Sequence, residues 1–468
     1  GGAQDIAHFR AIVAQGNVPA PETLDVTGFF AEHALDLPPA TCGRAVCLAP
    51  MLAVAPRFDG GNWTMGYVAL STSVNPATLM RPPLHLVLVV EPPSWDGGYE
   101  TGLRRVLAGL RAEDRVSVVR MGASRPLRLH GVAPTNPQVL TEATALTATG
   151  GLYEGLAEAS RAIDTLTGFS GASRILLVTT GEASLGVTDP GRIVALGESL
   201  VRRGVALSVV GYGTNYRPAI PAALGSLGAG TYSYAESSRD LEAIFQVESE
   251  TLLFPLATDF RMRFIPSPGY RVGRVYGARR AVARGEVIEV DAPALFIGSR
   301  VGAQSVGGSR RGGGSGLFVE LIPDLTMSPT IGANAPAFRV EATWTNATTR
   351  VEESTDAEVR NALAPGRNPE EMWPSFSDES RSKVFMMLNM YLAFQSTVTF
   401  YDNGDCARAQ GVIDMMSTSI DLWNRRRPDP DINADTQLLD RLRENLRTRC
   451  RAVQPVQPRN FSGGCFYS

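Results

Sequence analysis

Lysine is almost missing from this 468-residue chain. Of 44 basic residues only Lys383 is a lysine; the others are arginine. Schiff-base or lysine-base chemistry therefore rests on Lys383 or on nothing, and no neighbour of it suggests an active site. Histidine is nearly as scarce. His8, His33, His85 and His130 all lie in the first third, and none forms a short-spaced cluster with cysteine of the kind zinc requires. No apolar run reaches about 18 residues, which excludes a membrane-spanning helix. A basic stretch followed by an apolar one does not open the sequence, which in a processed chain says nothing about export. Excess positive charge is also missing. Against the 44 basic residues stand 47 acidic ones, a net charge of -3, so a general polyanion or nucleic-acid binder is excluded.

What is present favours a folded, multidomain protein. Hydrophobic residues make up 44% and charged residues 19%, enough to bury a sizeable core. The length predicts two to four domains. The cysteines are Cys42, Cys47, Cys406, Cys450 and Cys465. A Cys42–Cys47 disulfide across a tight loop is expected if the chain is exported. A second pair is expected among Cys406, Cys450 and Cys465, either Cys450–Cys465 across the Pro-rich tail or Cys406–Cys450 between two helices.

Periodicity divides the chain. Helical spacing of Ile6, Phe9, Ile12 and Val13 ends at Gly16, and a second short helix carries Leu24, Phe29 and Phe30. Strands are expected over Cys47–Val54 and Trp63–Leu70, joined by a glycine turn at 60–62. LHLVLVV (84–90) reads as a strand buried on both faces. From there strands alternate with helices up to residue 247, which predicts a parallel sheet flanked by helices. After Thr251 the segments 259–266, 285–293, 295–301, 317–323 and 338–344 read as separate antiparallel strands. Residues 304–316 read as a flexible loop without a phosphate-binding ending, and 351–376 as a polar linker. Three C-terminal helices with short links predict a hairpin bundle, with its methionines as core filler.

Catalysis has little support. His85 sits inside an apolar strand, and His130 has no evident nucleophile beside it. Neither paired carboxylates of a glycosidase kind nor a dinucleotide fingerprint occurs.

From 84 to 247 the chain resembles a von Willebrand factor type A domain. The likeness is carried by LHLVLVV, by TGGLYEGLAEA (149–159), by RILLVTTGEASLGVTDPGRIVALGESLVRRGVALSVVGYGTNY (174–216) and by AGTYSYAESSRDLEAIF (229–245). The flanks resemble a bacterial exported class in which this domain is inserted in a β-sandwich and a helical segment closes the chain. The resemblance implies a multidomain α/β plus β architecture. Residues 1–39 would be a helical segment, 40–80 and 251–350 the two parts of the sandwich, and 81–250 the Rossmann-like α/β domain. Residues 351–376 would link these to a helical domain at 377–468.

The family usually binds a divalent cation at the C-terminal edge of the sheet, through Asp-x-Ser-x-Ser, a later Thr and a later Asp. Each slot is altered here. They hold Glu91, Pro93, Trp95, Gly150 (with Thr149 one step earlier) and Thr180. Oxygen-rich magnesium or calcium coordination loses its charge and most of its ligands. The expectation is no cofactor, with a rebuilt site involving Ser94, Asp96 and Glu182 as the alternative. The edge remains the expected binding rim, formed by Glu91, Ser94, Trp95, Asp96, Thr149, Thr180 and Glu182. The expected function is a non-enzymatic protein-interaction or adhesion scaffold, exported or at the cell surface. Its alternatives are a subunit of a homo-oligomeric filament, tube or ring, and a metal-dependent adhesin with a rebuilt site.

Overall fold

The computed structural model describes residues 6–35, 37–74, 81–91, 97–146, 150–251, 255–278, 281–296, 305–306, 309–310, 316–324, 335–361 and 375–452. The N-terminal segment holds helix α1 (Ala7–Ala14), which buries Phe9 and Val13, and helix α2 (Val26–Ala31). Asp25 caps α2 by accepting the Gly28 N–H at 2.6 Å. Strands β1 (Cys47–Pro56) and β2 (Asn62–Ser71) then pair antiparallel in unbroken register from Cys47–Ser71 to Pro56–Asn62. Gly60 and Gly61, both at positive φ, make their turn.

The α/β unit follows: β3 (Leu84–Val90), α3 (Gly98–Ala108), β4 (Arg115–Arg120), β5 (Leu127–Val132), α4 (Gln138–Thr144), α5 (Leu152–Asp164), β6 (Ala172–Thr179), α6 (Pro190–Arg202), β7 (Ala206–Tyr212), α7 (Ala219–Gly225), β8 (Tyr232–Ala235) and α8 (Ser238–Thr251). The sheet order is β5-β4-β3-β6-β7-β8, parallel except for β5. Alternate residues of β3 feed two cores, as the pleat dictates. Val87 and Val89 pack with Leu156, Leu177 and Val209 on one face. Leu86, Leu88 and Val90 pack with Leu103, Val118 and Phe245 on the other. The chain leaves β3 toward β4 and returns on its other side as β6. The gap between the C-terminal ends of β3 and β6 is thus a topological switch point.

The remaining strands are β9 (Pro255–Pro266), β10 (Tyr270–Tyr276), β11 (Ala281–Arg284), β12 (Val287–Phe296), β13 (Ser305–Val306), β14 (Ser309–Arg310), β15 (Leu317–Pro323), β16 (Pro336–Asn346), β17 (Glu352–Arg360) and β18 (Ser375–Phe376). With β1 and β2, all of these but β13 and β14 build two antiparallel sheets, β10-β15-β2-β1-β18 and β11-β12-β9-β16-β17. Leu52, Val68, Phe264, Val319, Phe338 and Trp344 fill the space between them. A side chain at Gly66 would stand 2.8 Å from the Phe264 ring, in a stacked pair with Phe338, so this strand position requires glycine.

Three expectations change here. Residues 352–360 are a strand and not part of a linker. EESTDAEVR shows no apolar alternation because, as the outermost described strand, it turns mostly charged side chains to water. Segments 285–293 and 295–301 are not two strands, since β12 runs through Pro293. That proline lies past the last described pair with β11, where a missing N–H removes no ladder bond. Within 304–316, β13 and β14 pair as a short hairpin. The outer face of the β11-β12-β9-β16-β17 sheet carries an ionic ladder from Arg284 to Glu289, Arg263, Glu341, Arg339 and Asp356, with N–O separations of 2.6 to 3.9 Å. Such pairs add little stability, but they mark this face as solvated.

The C-terminal helices, α9 (Lys383–Asp402), α10 (Cys406–Asn424) and α11 (Pro430–Ala452), pack together as the expected bundle. Their core extends beyond it. Helix α9 is apolar on nearly every side and buries Val384, Phe385, Met386, Met387, Leu388, Met390 and Phe394. A helix of that kind needs cover all round. It receives α10 and α11 on one side and the outer face of β1 and β2, through Met51, Trp63, Met65 and Tyr67, on the other. Phe9, Phe29 and Phe30 of the N-terminal segment complete this core. The two ends of the chain therefore meet in one core. Met415, in contrast to its neighbour Met416, is exposed.

Candidate functional site

The switch point is organised around Glu91, the residue that follows β3. Its side chain is almost wholly buried, at 1% exposure. A buried carboxylate needs partners for its lone pairs, and two neighbouring segments supply them. Gly150 N–H donates to Oε1 at 2.7 Å. Thr180 N–H donates to Oε2 at 2.7 Å, the Thr179 hydroxyl at 2.9 Å and the Thr180 hydroxyl at 3.0 Å. From β7, the Tyr212 hydroxyl donates to the Glu91 carbonyl at 2.5 Å. Burial, followed by the charge of Glu91, holds the Tyr212 phenol well above its ordinary pKa, so it stays a donor.

Local sequence explains the cradle. Gly150 sits at φ 102°, a backbone that side chains rarely adopt. A Cβ there would meet the Ser184 hydroxyl at 2.2 Å. Gly150 in the slot of a family threonine thus lets its N–H reach Glu91. The loop after β6 closes over it, with Leu185 N–H donating to the Gly150 carbonyl at 3.2 Å. Glu154 of α5 holds the same loop by accepting the Val187 N–H at 2.9 Å.

Of the expected rim residues, the structure brings Glu91 and Thr180 into direct contact and places Glu182 on the same loop as Thr180, two residues on. Ser94, Trp95, Asp96 and Thr149 lie outside the described residues, as does Pro93. Thr179, Gly150 and Tyr212 were not foreseen as site residues. Tyr212 had a legible signal, since it ends a strand beside the switch point. The backbone donors of Gly150 and Thr180 had none. Leu185, whose N–H bonds Gly150, is 44% exposed and adds an apolar element to the rim.

Four hydrogen bonds already occupy the Glu91 carboxylate, Thr180 directs its hydroxyl to Glu91, and no cluster of three or more His, Cys, Asp or Glu that could hold a metal occurs among the described residues. Other candidate groups have structural work. His85 Nε2 lies 2.8 Å from the buried Ser117 hydroxyl, which also accepts the Gly131 N–H at 2.9 Å. Burial, then the neighbouring His130, lowers the His85 pKa to about 4. Both groups of this Ser–His pair are buried inside the sheet. His130 Nε2 donates to the Ala162 carbonyl at 2.9 Å. Lys383 is held by Asp431 at 2.5 Å, Asp429 at 2.9 Å and the Ala34 carbonyl at 2.9 Å. Disulfides join Cys42 to Cys47, ahead of β1, and Cys406 to Cys450, tying the start of α10 to the last turn of α11. Cys465 lies outside the described residues.

No family model matches the chain. It is 25% identical over 175 residues to the uncharacterized protein YfbK of Escherichia coli (strain K12), a match covering 36% of this chain and 30% of that relative. Among solved structures, von Willebrand factor type A from Catenulispora acidiphila is 14% identical. It covers 84% of this chain and 89% of its own, with a TM-score of 0.54. The ArnB paralog VWA2 from Sulfolobus acidocaldarius is 13% identical, covering 86% and 98%, with a TM-score of 0.47. With its mixed parallel sheet, flanking helices, antiparallel sheets and C-terminal helices, the chain has the fold of a von Willebrand factor type A domain protein.

Proposed function

We propose that the chain is a non-enzymatic protein-interaction scaffold, exported or displayed at the cell surface, whose type A domain engages its partner without a divalent cation. One observation carries this reading: the Glu91 carboxylate is satisfied by four protein donors at the place where the fold ordinarily seats its cation. A carboxylate whose lone pairs are taken by N–H and O–H groups has little left to offset the dehydration of magnesium or calcium. The rim above it keeps Leu185 exposed, an apolar element suited to a protein partner. The outer face of one sandwich sheet is less suited, because its ionic ladder is solvated. The other sheet has its outer face covered by α9. Two disulfides fit an oxidising compartment. The buried His85–Ser117 pair and the carbonyl-bound His130 favour a scaffold over a hydrolase.

The test is thermal unfolding of the full chain in EDTA and then in millimolar magnesium, manganese or calcium, with Glu91→Ala as control. A ligand at about 100 times its Kd stabilises a native state by about 2.7 kcal/mol. The expected result is an unchanged midpoint with every ion. A cation-induced rise that Glu91→Ala abolishes would return the metal-dependent adhesin as the better reading.

A further inference from the structure

We propose that the cavity between the N-terminal segment and helix α7 is a binding site for an organic cation, a primary ammonium or guanidinium group on a short apolar stem. The cavity is partly enclosed and holds about 310 Å³. That is the lower end of the range for small-ligand sites, which favour junctions between domains. One wall comes from His8 of α1, from the turn Pro21–Thr23 and from Asp25, the cap of α2. The other comes from α7 and from Tyr232 of β8. It shares no lining residue with the Glu91 cradle. The walls are held against each other, because the His8 ring meets Tyr216 and Tyr234 edge-on and Gln15 donates to Glu236 at 3.2 Å.

The polar side chains of the walls are rich in acceptors and poor in donors. Glu22 and Asp25 bring carboxylates, which in their ionised form only accept. The Thr23 hydroxyl gives its one hydrogen to the Ala20 carbonyl at 2.6 Å, and the Ser226 hydroxyl gives its own to the Ala223 carbonyl at 2.6 Å. Both oxygens keep only lone pairs for anything in the cavity. The Tyr232 hydroxyl is paired with that of Tyr216 at 3.0 Å. His8 Nδ1 is shut off from water and has no hydrogen-bond partner among the described residues. Burial lowers the His8 pKa, so the ring brings no positive charge. No lysine or arginine is among the lining residues, and Arg217, beside Pro218, is exposed.

Such walls select by charge. An anion would face two carboxylates and find few donors to meet it. A donor-rich cation supplies what the walls lack, hydrogens for the carboxylates and for the Thr23 and Ser226 oxygens. It also suits Nδ1 of a neutral imidazole whose own hydrogen is on Nε2. Pro218, Ala222 and Ala223 add an apolar strip against which the stem of such a cation packs. The same chemistry occurs in a free alkylamine or alkylguanidine and in the lysine or arginine side chain of a partner protein.

The test titrates the full chain, labelled with 15N-histidine, with n-butylammonium and n-butylguanidinium. The neutral n-butanol and the anionic n-butyrate are the controls. NMR reads the ring signals of the four histidines, with that of His8 assigned by its loss in His8→Asn. The expected result is a saturable shift of the His8 signal with the cations and none with either control. In Glu22→Gln/Asp25→Asn the cations should bind about tenfold more weakly or worse, the worth of one hydrogen bond to a charged group. Glu22 is exposed and asparagine still caps α2, so this variant keeps the fold. Cations that leave His8 unmoved, butyrate that moves it as strongly, or an unchanged affinity in the variant would each overturn the proposal. Acetyl-Gly-Arg-Gly-amide separates the two sources. Binding as tight as that of n-butylguanidinium supports the site as a receptor for a partner's side chain, and binding of the free cations alone supports it as a small-molecule site. Should the variant fail to fold, the native titration against butanol and butyrate decides alone.

Discussion

Glu91 and Asp435 are both carboxylates with almost no contact with solvent, yet the chain satisfies them by different means. Glu91 is surrounded by dipoles: two backbone N–H groups and two threonine hydroxyls, all local to the ends of the sheet. Asp435 is met by side chains, with Arg10 and His33 reaching it from the N-terminal segment. Dipoles fixed by local backbone geometry stay where the fold puts them. A buried ion pair depends on its partners, because each ion stays tolerable only while the other remains. The first arrangement suits a rigid rim; the second ties together segments far apart in sequence.

The sharpest way to break this contrast is Arg10→Met. Burial works to lower the Arg10 pKa, but Glu32 and Asp435 outweigh it and hold the guanidinium charged well above its ordinary range. Removing it takes the guanidinium from two buried carboxylates, so the expected loss is about 3–5 kcal/mol, read as a fall in the urea midpoint. Glu91→Leu removes the anion instead of its partner and leaves only neutral donors without acceptors. The expected loss is smaller, about 2–3 kcal/mol. A larger loss for Glu91→Leu than for Arg10→Met would erase the distinction between the two sites. Thr179→Val takes away a single hydroxyl donor and should cost about 1 kcal/mol in the same measurement.

How much of this the sequence disclosed follows the same division. The α/β unit was legible because its strands are continuous apolar runs and its helices keep one buried stripe, as in LHLVLVV and the segment after Gly151. The switch-point carboxylate was legible too, since Glu91 falls at the end of β3 where the resemblance places an acid. Its cradle was not, because Gly150 and Thr180 act through backbone N–H groups that carry no side-chain signature. Strand β17 was hidden by its charges, and the shared terminal core by distance. Nothing local to His33 points to a residue 402 positions away. Helix α9 gave a partial hint, because apolar residues on all faces demand more cover than two neighbouring helices provide.

The smallest expected effect is also the one in which the histidines must be told apart. His85 is buried as a neutral ring with a pKa lowered to about 4 from an ordinary 6.5, first by burial and then by His130. The unfolded chain therefore takes up a proton that the folded one refuses. The stability His85 contributes is complete above 6.5 and is lost as pH falls toward about 4. Replacing His85 by Gln, whose amide can still bond Ser117, removes only the acid-side loss. The unfolding midpoint of His85→Gln should therefore fall less steeply below 6.5 than that of the native chain. If the acid limb is unchanged in His85→Gln, this buried ring is not its source, and the carboxylates of the terminal core become the groups to titrate next.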